Sequence, residues 1–305
     1  MIQEVYLQPH SSDPILDEEL VLALVREFVP GARKMSGVDE TGGEARAYAI
    51  DDGVILKVQR PHRLRLSTSL EREAFFLQQL EAAGLPGVSV PRVLGYFRRS
   101  NLLEGIVMTR VPGTAVARAG VAAQALDPVL SALGRTLAAI HSLDCRPFHS
   151  SGLFPVDQDA QALRARMVSR FERSLLRLSA VPDAELDRAR ALRDSILAGI
   201  TRVDSWVAVH SNPGPEHTFI DDAGSFSGLI DFGDSYVGHP INDLRRWGLR
   251  QRKIVLAAYL ADVRQPDGIR SAWETVYQVD AILDMLARRG RVDDITGPDQ
   301  LLAWE

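Results

Sequence analysis

His210-Ser211-Asn212-Pro213-Gly214-Pro215-Glu216-His217 is the stretch whose reading decides the fold, together with Asp231-Phe232-Gly233-Asp234, which begins fourteen residues after His217. An apolar run, Trp206-Val207-Ala208-Val209, leads into the first segment, and a second, Phe226 to Ile230, leads into the other. Both runs have the composition of short buried strands, so each polar segment is expected at a strand's mouth. Gly233 permits the tight turn that would expose Asp231. A bare Asp-x-Gly is a common turn; its place after the His210 loop is what makes it a candidate. His210 and His217, seven residues apart across Pro213-Gly214-Pro215, are not expected to share a helix. His210 reads as a structural residue that hydrogen-bonds backbone to hold its loop.

Outward from these loops the chain falls into two regions. From Val116 onward the signals are almost all helical: Val129 to Ser142, Leu163 to Leu178, Glu185 to Ile200, Leu244 to Val263 and Trp273 to Arg288 carry helical apolar spacing, broken only by the two strands above. Before it, helix and strand signals alternate. Leu16 to Phe28 is an amphipathic helix with Ser12 or Asp13 near its start, and Arg46 to Ile50 and Val54 to Val58 flank the hairpin turn Asp51-Asp52-Gly53. Ser69 to Ala83 is a helix closed by Gly84, and Val88 to Phe97 and Leu103 to Met108 are two further strands. Pro112-Gly113 is the expected joint, with a ligand cleft at the lobes.

Bulk composition narrows the function classes. The 305 residues are 46% hydrophobic and 25% charged, ordinary for a globular chain long enough for two lobes. A net charge of −5 argues against nucleic-acid binding by bulk attraction to phosphate. The single cysteine, Cys145, allows neither an intramolecular disulfide nor a cysteine-based zinc site. The start of the chain lacks the basic-then-apolar order of a signal peptide, and no apolar run is long enough for a membrane span. A cytoplasmic protein without nucleic-acid or membrane partners is expected; the oligomeric state is not legible.

Lys57 lies in the apolar strand Val54-Ile55-Leu56-Lys57-Val58. Its ammonium either snorkels from an edge or meets a carboxylate on the next helix, and spacing allows Glu71 as well as Glu73. Asp231 suits Mg2+, a hard cation that takes oxygen ligands and keeps several waters. His217 stands where a second ligand would be needed, although imidazole is a softer donor than Mg2+ prefers.

The order strand lysine, helix glutamate, His-x-[Asp]-x4-ligand, Asp-Phe-Gly resembles the aminoglycoside phosphotransferase and choline kinase-like superfamily, over about residues 33–247. Gly228 to Asp234 and Pro240-Ile241-Asn242-Asp243-Leu244 are similar to further family segments, with Gly238-His239-Pro240 replacing the usual G-D-P. The usual loop reads H-G-D-x-x-x-x-N; in some aminoglycoside 2''-phosphotransferases and macrolide kinases its last position is His, the branch that His217 resembles. The resemblance implies an α+β, bilobal protein-kinase-like fold. Its parts would be a small N-terminal sheet-plus-helix lobe over 1–110 and a larger, mainly helical lobe over 111–305 with an insert at about 156–202. It implies that Lys57 and Glu73 bind phosphate, that Met108, Thr109 and Val111 form a hinge reading the nucleotide base, and that His217 and Asp231 hold Mg2+. His141, in Leu-Ala-Ala-Ile-His-Ser-Leu, would be structural.

Two departures qualify the implied activity. The segment Ser36 to Gly43, where a phosphate loop should fall, lacks G-x-G-x-x-G, an irregularity common in this family. Asn212 occupies the catalytic Asp position, and an amide cannot take a proton from a hydroxyl. The expected function is therefore a small-molecule O-phosphotransferase scaffold using ATP or GTP on a hydroxyl-bearing metabolite or antibiotic. Asn212 marks either a natural low-activity form or a deliberate replacement. The alternative is a non-catalytic, pseudokinase-like regulatory module that binds nucleotide. Between Asp157 and Arg202 seven acidic residues face nine arginines, and Arg245 to Lys253 is also basic, which favours a neutral or anionic acceptor over a polycation.

Overall fold

The computed structural model describes residues 6–66, 68–99, 103–157, 159–178, 181–201, 206–263, 266–292, 294–295 and 297–304. In chain order the elements are α1 (Glu18–Arg26), β1 (Met35–Asp39), β2 (Ala45–Ile50), β3 (Val54–Gln59), α2 (Ser69–Ala83), β4 (Val93–Arg99), β5 (Leu103–Thr109) and β6 (Thr114–Ala115). There follow α3 (Asp127–Ile140), α4 (Arg146–Ser150), α5 (Ala160–Leu175), α6 (Asp183–Leu197), β7 (Val207–Val209), β8 (Thr218–Ile220), β9 (Phe226–Leu229) and β10 (Tyr236–Gly238). The helices α7 (Leu249–Asp262), α8 (Pro266–Arg289) and α9 (Asp299–Leu302) complete the chain. The α+β, two-part expectation holds: the chain forms two compact units, one sheet-rich and one mainly helical.

The sheet-rich unit comprises residues 1–121, 150–154 and 210–235. Its antiparallel five-stranded sheet has the order β1-β2-β3-β5-β4. One face packs on α1 through Tyr48, Ile50, Leu56, Val58 and Val107. The cap of α1 is Asp17, whose carboxylate accepts from Leu20 N–H at 2.8 Å, rather than Ser12 or Asp13. Asp13 instead pairs with Arg46 and Arg60. Helix α2 has the expected bounds, since Thr68 caps its first turn and Gly84 turns left-handed at φ +57° to end it. A second small sheet, β6-β8-β9, begins just after Gly113. Gly113 is required there: its φ is +91°, and a Cβ would lie 2.0 Å from the Ile220 carbonyl oxygen.

The helical unit comprises residues 122–149, 155–209 and 236–305. Helices α3 and α7 cross closely at Gly134, where a Cβ would lie 2.4 Å from the Val255 carbonyl oxygen. His141 ends α3, with Nε2 2.9 Å from Asp243 and Nδ1 3.0 Å from the Tyr259 hydroxyl, the structural arrangement expected of it. The helix expected from Leu244 starts only at Leu249. A 3-10 turn over Pro240–Asn242 precedes it and Gly248 delays its start. The strands β8 and β10 are three residues each and, unlike β7, lie in no longer apolar run, and so escaped the helical reading of the chain after Val116. Among the described residues no helix is long and apolar enough to cross a membrane.

Candidate functional site

Every residue of the site lies within the sheet-rich unit. Side chains alternate along β2 and β3, so while Tyr48, Ile50, Leu56 and Val58 face the core, Ala45, Ala47, Ala49, Ile55 and Lys57 line a cavity of about 880 Å³. The alanines and Ile55 give it a smooth apolar wall, and Lys57 supplies its charge. Lys57 Nζ donates to both Glu73 carboxylate oxygens at 2.9 Å and to Asp231 Oδ1 at 2.8 Å. The structure therefore selects Glu73 over Glu71 and adds Asp231 as a partner.

The two carboxylates are not equivalent. Glu73 is 1% exposed, whereas the Asp231 side chain is 40% exposed at the cavity wall. Burial pushes Glu73 up, against the attraction of Lys57. The Lys57 ammonium holds Asp231 far below the usual carboxylate range. Burial also opposes the ammonium, but the two carboxylates outweigh it and raise Lys57. The result is a permanently charged lysine with one fixed partner and one open to the cavity.

The Asp231 loop is anchored from behind. Phe232 is fully buried between Phe76 of α2, at 4.9 Å between ring centroids, and His210, at 4.4 Å. Gly233 lies against the start of α2, where a Cβ would approach Ser69 to 3.0 Å. Asp231 itself adopts φ +71° and Ser211 φ +82°, left-handed conformations that cost free energy and mark both loops as constrained. His210 Nδ1 accepts from Asn212 N–H at 3.1 Å, so its Nε2 donates to the Ile230 carbonyl at 2.9 Å. That neutral imidazole ties the two opening segments together, as expected of a structural histidine.

His217 is oriented by the same loop. Its Nδ1 lies 2.8 Å from the Asn212 carbonyl and must donate to it, so Nε2 faces Asp231 Oδ2 at 3.2 Å, as a lone pair when the ring is neutral and as a donor when it is protonated. Two acceptors so placed call for a cation or proton between them. Adjacent ligands on an octahedral ion at about 2.1 Å lie about 3 Å apart, so the pair fits a divalent cation. Among the described residues no group of three His, Cys, Asp or Glu side chains gathers for a metal. Mg2+ does not require one, because waters and phosphate oxygens complete its shell. The Asn212 backbone serves both histidines, while its side chain is not among those lining the cavity.

Met108, Thr109 and Val111 also line the cavity. Thr109 N–H bonds the Arg92 carbonyl at 2.9 Å and Arg110 N–H the Gly53 carbonyl at 2.8 Å, so both donors are used in the sheet. The N–H of Val111 has no such bond among the described residues. Residues 36–43 form β1 and a loop over the cavity, pinned by Arg60, which donates to the carbonyls of Glu40 and Gly42 at 2.9 Å. Sequence reasoning missed Arg118, which donates to Asp39 Oδ2 and to Thr41 Oγ1 at 3.2 Å, and Glu216, which lines the cavity beside His217. A contact spanning 77 residues leaves no local signal.

Residues 38–288 match the model described as the phosphotransferase enzyme family. The fold is similar to that of wild-type aminoglycoside 2'-phosphotransferase-IIIa in its GDP complex, at 16% identity over 94% of this chain and 98% of that one, with a TM-score of 0.61. It is also similar to the apoenzyme of macrolide 2'-phosphotransferase MphH from Brachybacterium faecium, at 21% identity over 89% and 93% of the chains and TM-score 0.58. Macrolide 2'-phosphotransferase type I gives 22% identity over 96% and 97%, with TM-score 0.57. No curated protein sequence matches the chain.

Proposed function

Because this chain belongs to the phosphotransferase enzyme family, we propose that it transfers the γ-phosphate of ATP or GTP to a hydroxyl of a small molecule, with Mg2+ as cofactor. The reading is carried by Lys57, held between Glu73 and Asp231 at 2.8–2.9 Å on the wall of a cavity of about 880 Å³. In this reading the base lies on the apolar wall against Met108 and Thr109, and the Val111 N–H reads its edge. Lys57, fixed by Glu73, meets the α- and β-phosphates. Asp231 and His217 hold the cation, which when bound neutralises charge on the transferring phosphoryl group.

The acceptor oxygen bonds to the γ-phosphorus as the bond from that phosphorus to the bridging oxygen breaks, and the hydroxyl proton must leave. Asn212 cannot accept it. Phosphoryl transfer rests mainly on positioning and charge stabilisation, so slow turnover survives. Restoring the base with Asn212→Asp is expected to raise kcat roughly 10²- to 10⁴-fold. Lys57→Ala is expected to abolish Mg-nucleotide binding by calorimetry; unchanged binding would sink the reading.

Asn212 itself favours a second reading, a regulatory module that binds nucleotide without turnover. In that case nucleotide raises the melting temperature of the unaltered chain, and Asn212→Asp is no faster. As to the acceptor, structural neighbours are named for aminoglycosides and macrolides. A polycationic aminoglycoside wants carboxylates around it, whereas residues 157–202 carry nine arginines against seven acidic residues. That balance favours a neutral or anionic hydroxyl compound.

A further inference from the structure

The helical unit contains a cluster of charge that the reaction above does not use. Arg245 follows the turn at Pro240–Asn242, Arg252 lies on α7, Asp280 on α8 and Arg170 on α5. Arg245 and Arg252 are 5% and 8% exposed, and both address one carboxylate: Arg245 Nη2 is 3.4 Å from Asp280 Oδ1 and Arg252 Nη1 is 2.5 Å from Asp280 Oδ2. The remaining donors of Arg245 are poorly served. Its Nη1 rests on the thioether of Met167, a weak acceptor, and its buried Nε has no hydrogen-bond partner.

Arg170 stands one turn beyond Met167 on the same face of α5 and feels the charges of Asp280, Arg252 and Arg246. Among the described residues it makes no ion pair or hydrogen bond of its own. Two guanidinium groups thus pair with one carboxylate and the charge of Arg170 acts on it as well, an excess of two positive charges in a chain whose net charge is −5. Burial pulls both Arg170 and Arg245 down from the ordinary arginine range, the direction expected of cations lacking counter-charge. An uncompensated buried charge is costly and persists where something pairs with it. Arg170 is only half-buried and Arg173, on the next turn, is exposed, so the cluster reaches solvent.

We propose that Arg170, Arg245 and Arg252 form a seat for an anionic oxygen group, a carboxylate or phosphate monoester. Planar guanidinium forks match both anions bidentately. The seat stands on the cluster alone.

The test is thermal melting of the full chain in chloride buffer at fixed ionic strength, titrated with inorganic phosphate or with glycolate. A saturable rise in melting temperature that Arg170→Gln abolishes is expected. An equal response in chain and variant, or none in either, overturns the seat. If Arg170→Gln does not fold, Arg170→Lys carries the test, because it keeps the charge and loses the fork. An unchanged response there overturns the seat and a several-fold weaker one supports it.

Discussion

Two buried charge clusters, one in each unit, are built with opposite imbalance. In the sheet-rich unit one lysine sits between two carboxylates, Glu73 and Asp231, with His217 Nε2 at 3.2 Å from Asp231 Oδ2. In the helical unit one carboxylate, Asp280, sits among Arg170, Arg245 and Arg252. A balanced ion pair satisfies itself and recruits nothing. The first cluster carries a surplus of acceptors and so suits a cation; the second carries a surplus of donors and so suits an anion.

Removing the lone member of each cluster should give the largest effects. Lys57→Met strands Glu73 in the interior, which costs about 3–5 kcal/mol for a fully buried pair. The lower end is expected, because Asp231 opens to the cavity and Glu73 can take up a proton. Adding Glu73→Gln should recover much of the loss; if chemical denaturation shows no recovery, the cost is not that of a stranded charge. Asp280→Asn leaves three arginines without a carboxylate and should cost about 3 kcal/mol. Phosphate should restore more stability to this variant than to the unaltered chain. Equal restoration would break the contrast between the clusters.

Acid should act more gently and in a known direction. Burial opposes the ionised Asp280, but Arg245, Arg252 and Arg170 outweigh it and hold its carboxyl far below the usual range. A depressed carboxylate contributes stability that is present above its unfolded value, near 4, and is lost as pH falls through the folded one. Between about pH 4 and pH 2.5 the unfolded chain binds a proton there that the folded chain does not. Stability should therefore fall by up to about 1.4 kcal/mol per pH unit from this group. In Asp280→Asn that share of the slope should vanish, as urea denaturation across the window would register.

What the sequence made legible follows from the range of the forces involved. The end of helix α2 could be read because Gly84 acts within a turn of it. Lys57 could be singled out because it interrupts an apolar strand, and Asp231 because it follows one. The Lys57–Asp231 pair itself spans 174 residues and left no trace in spacing. The arginines were visible only as basic stretches, the usual signature of a solvated helix face. Their burial around Asp280 depends on how α5, α7 and α8 pack, which periodicity does not encode. The strands β8 and β10 were lost for a simpler reason, since three residues cannot show alternation and no longer apolar run marks them as Trp206 to Val209 marks β7.

The smallest effect should come from a third ion pair, which serves as the control for the other two. Arg118 and Asp39 meet at 3.4 Å in the sheet-rich unit, but both side chains are exposed and water competes for each. Such pairs contribute between zero and about 1 kcal/mol, so Arg118→Ala should barely move the melting temperature. Asp39 also keeps the Thr41 hydroxyl at 2.6 Å and its N–H at 2.8 Å, so the loop turn survives the loss. Nucleotide affinity is the more sensitive measure, because Arg118, Asp39 and Thr41 all line the cavity. A several-fold weakening that fades as salt rises is expected, since an exposed cation beside bound phosphates is screened within about 10 Å at 0.1 M. A large, salt-independent loss of stability would mean that exposure is not what separates this pair from the buried clusters, and that charge imbalance alone is a poor guide to what each cluster binds.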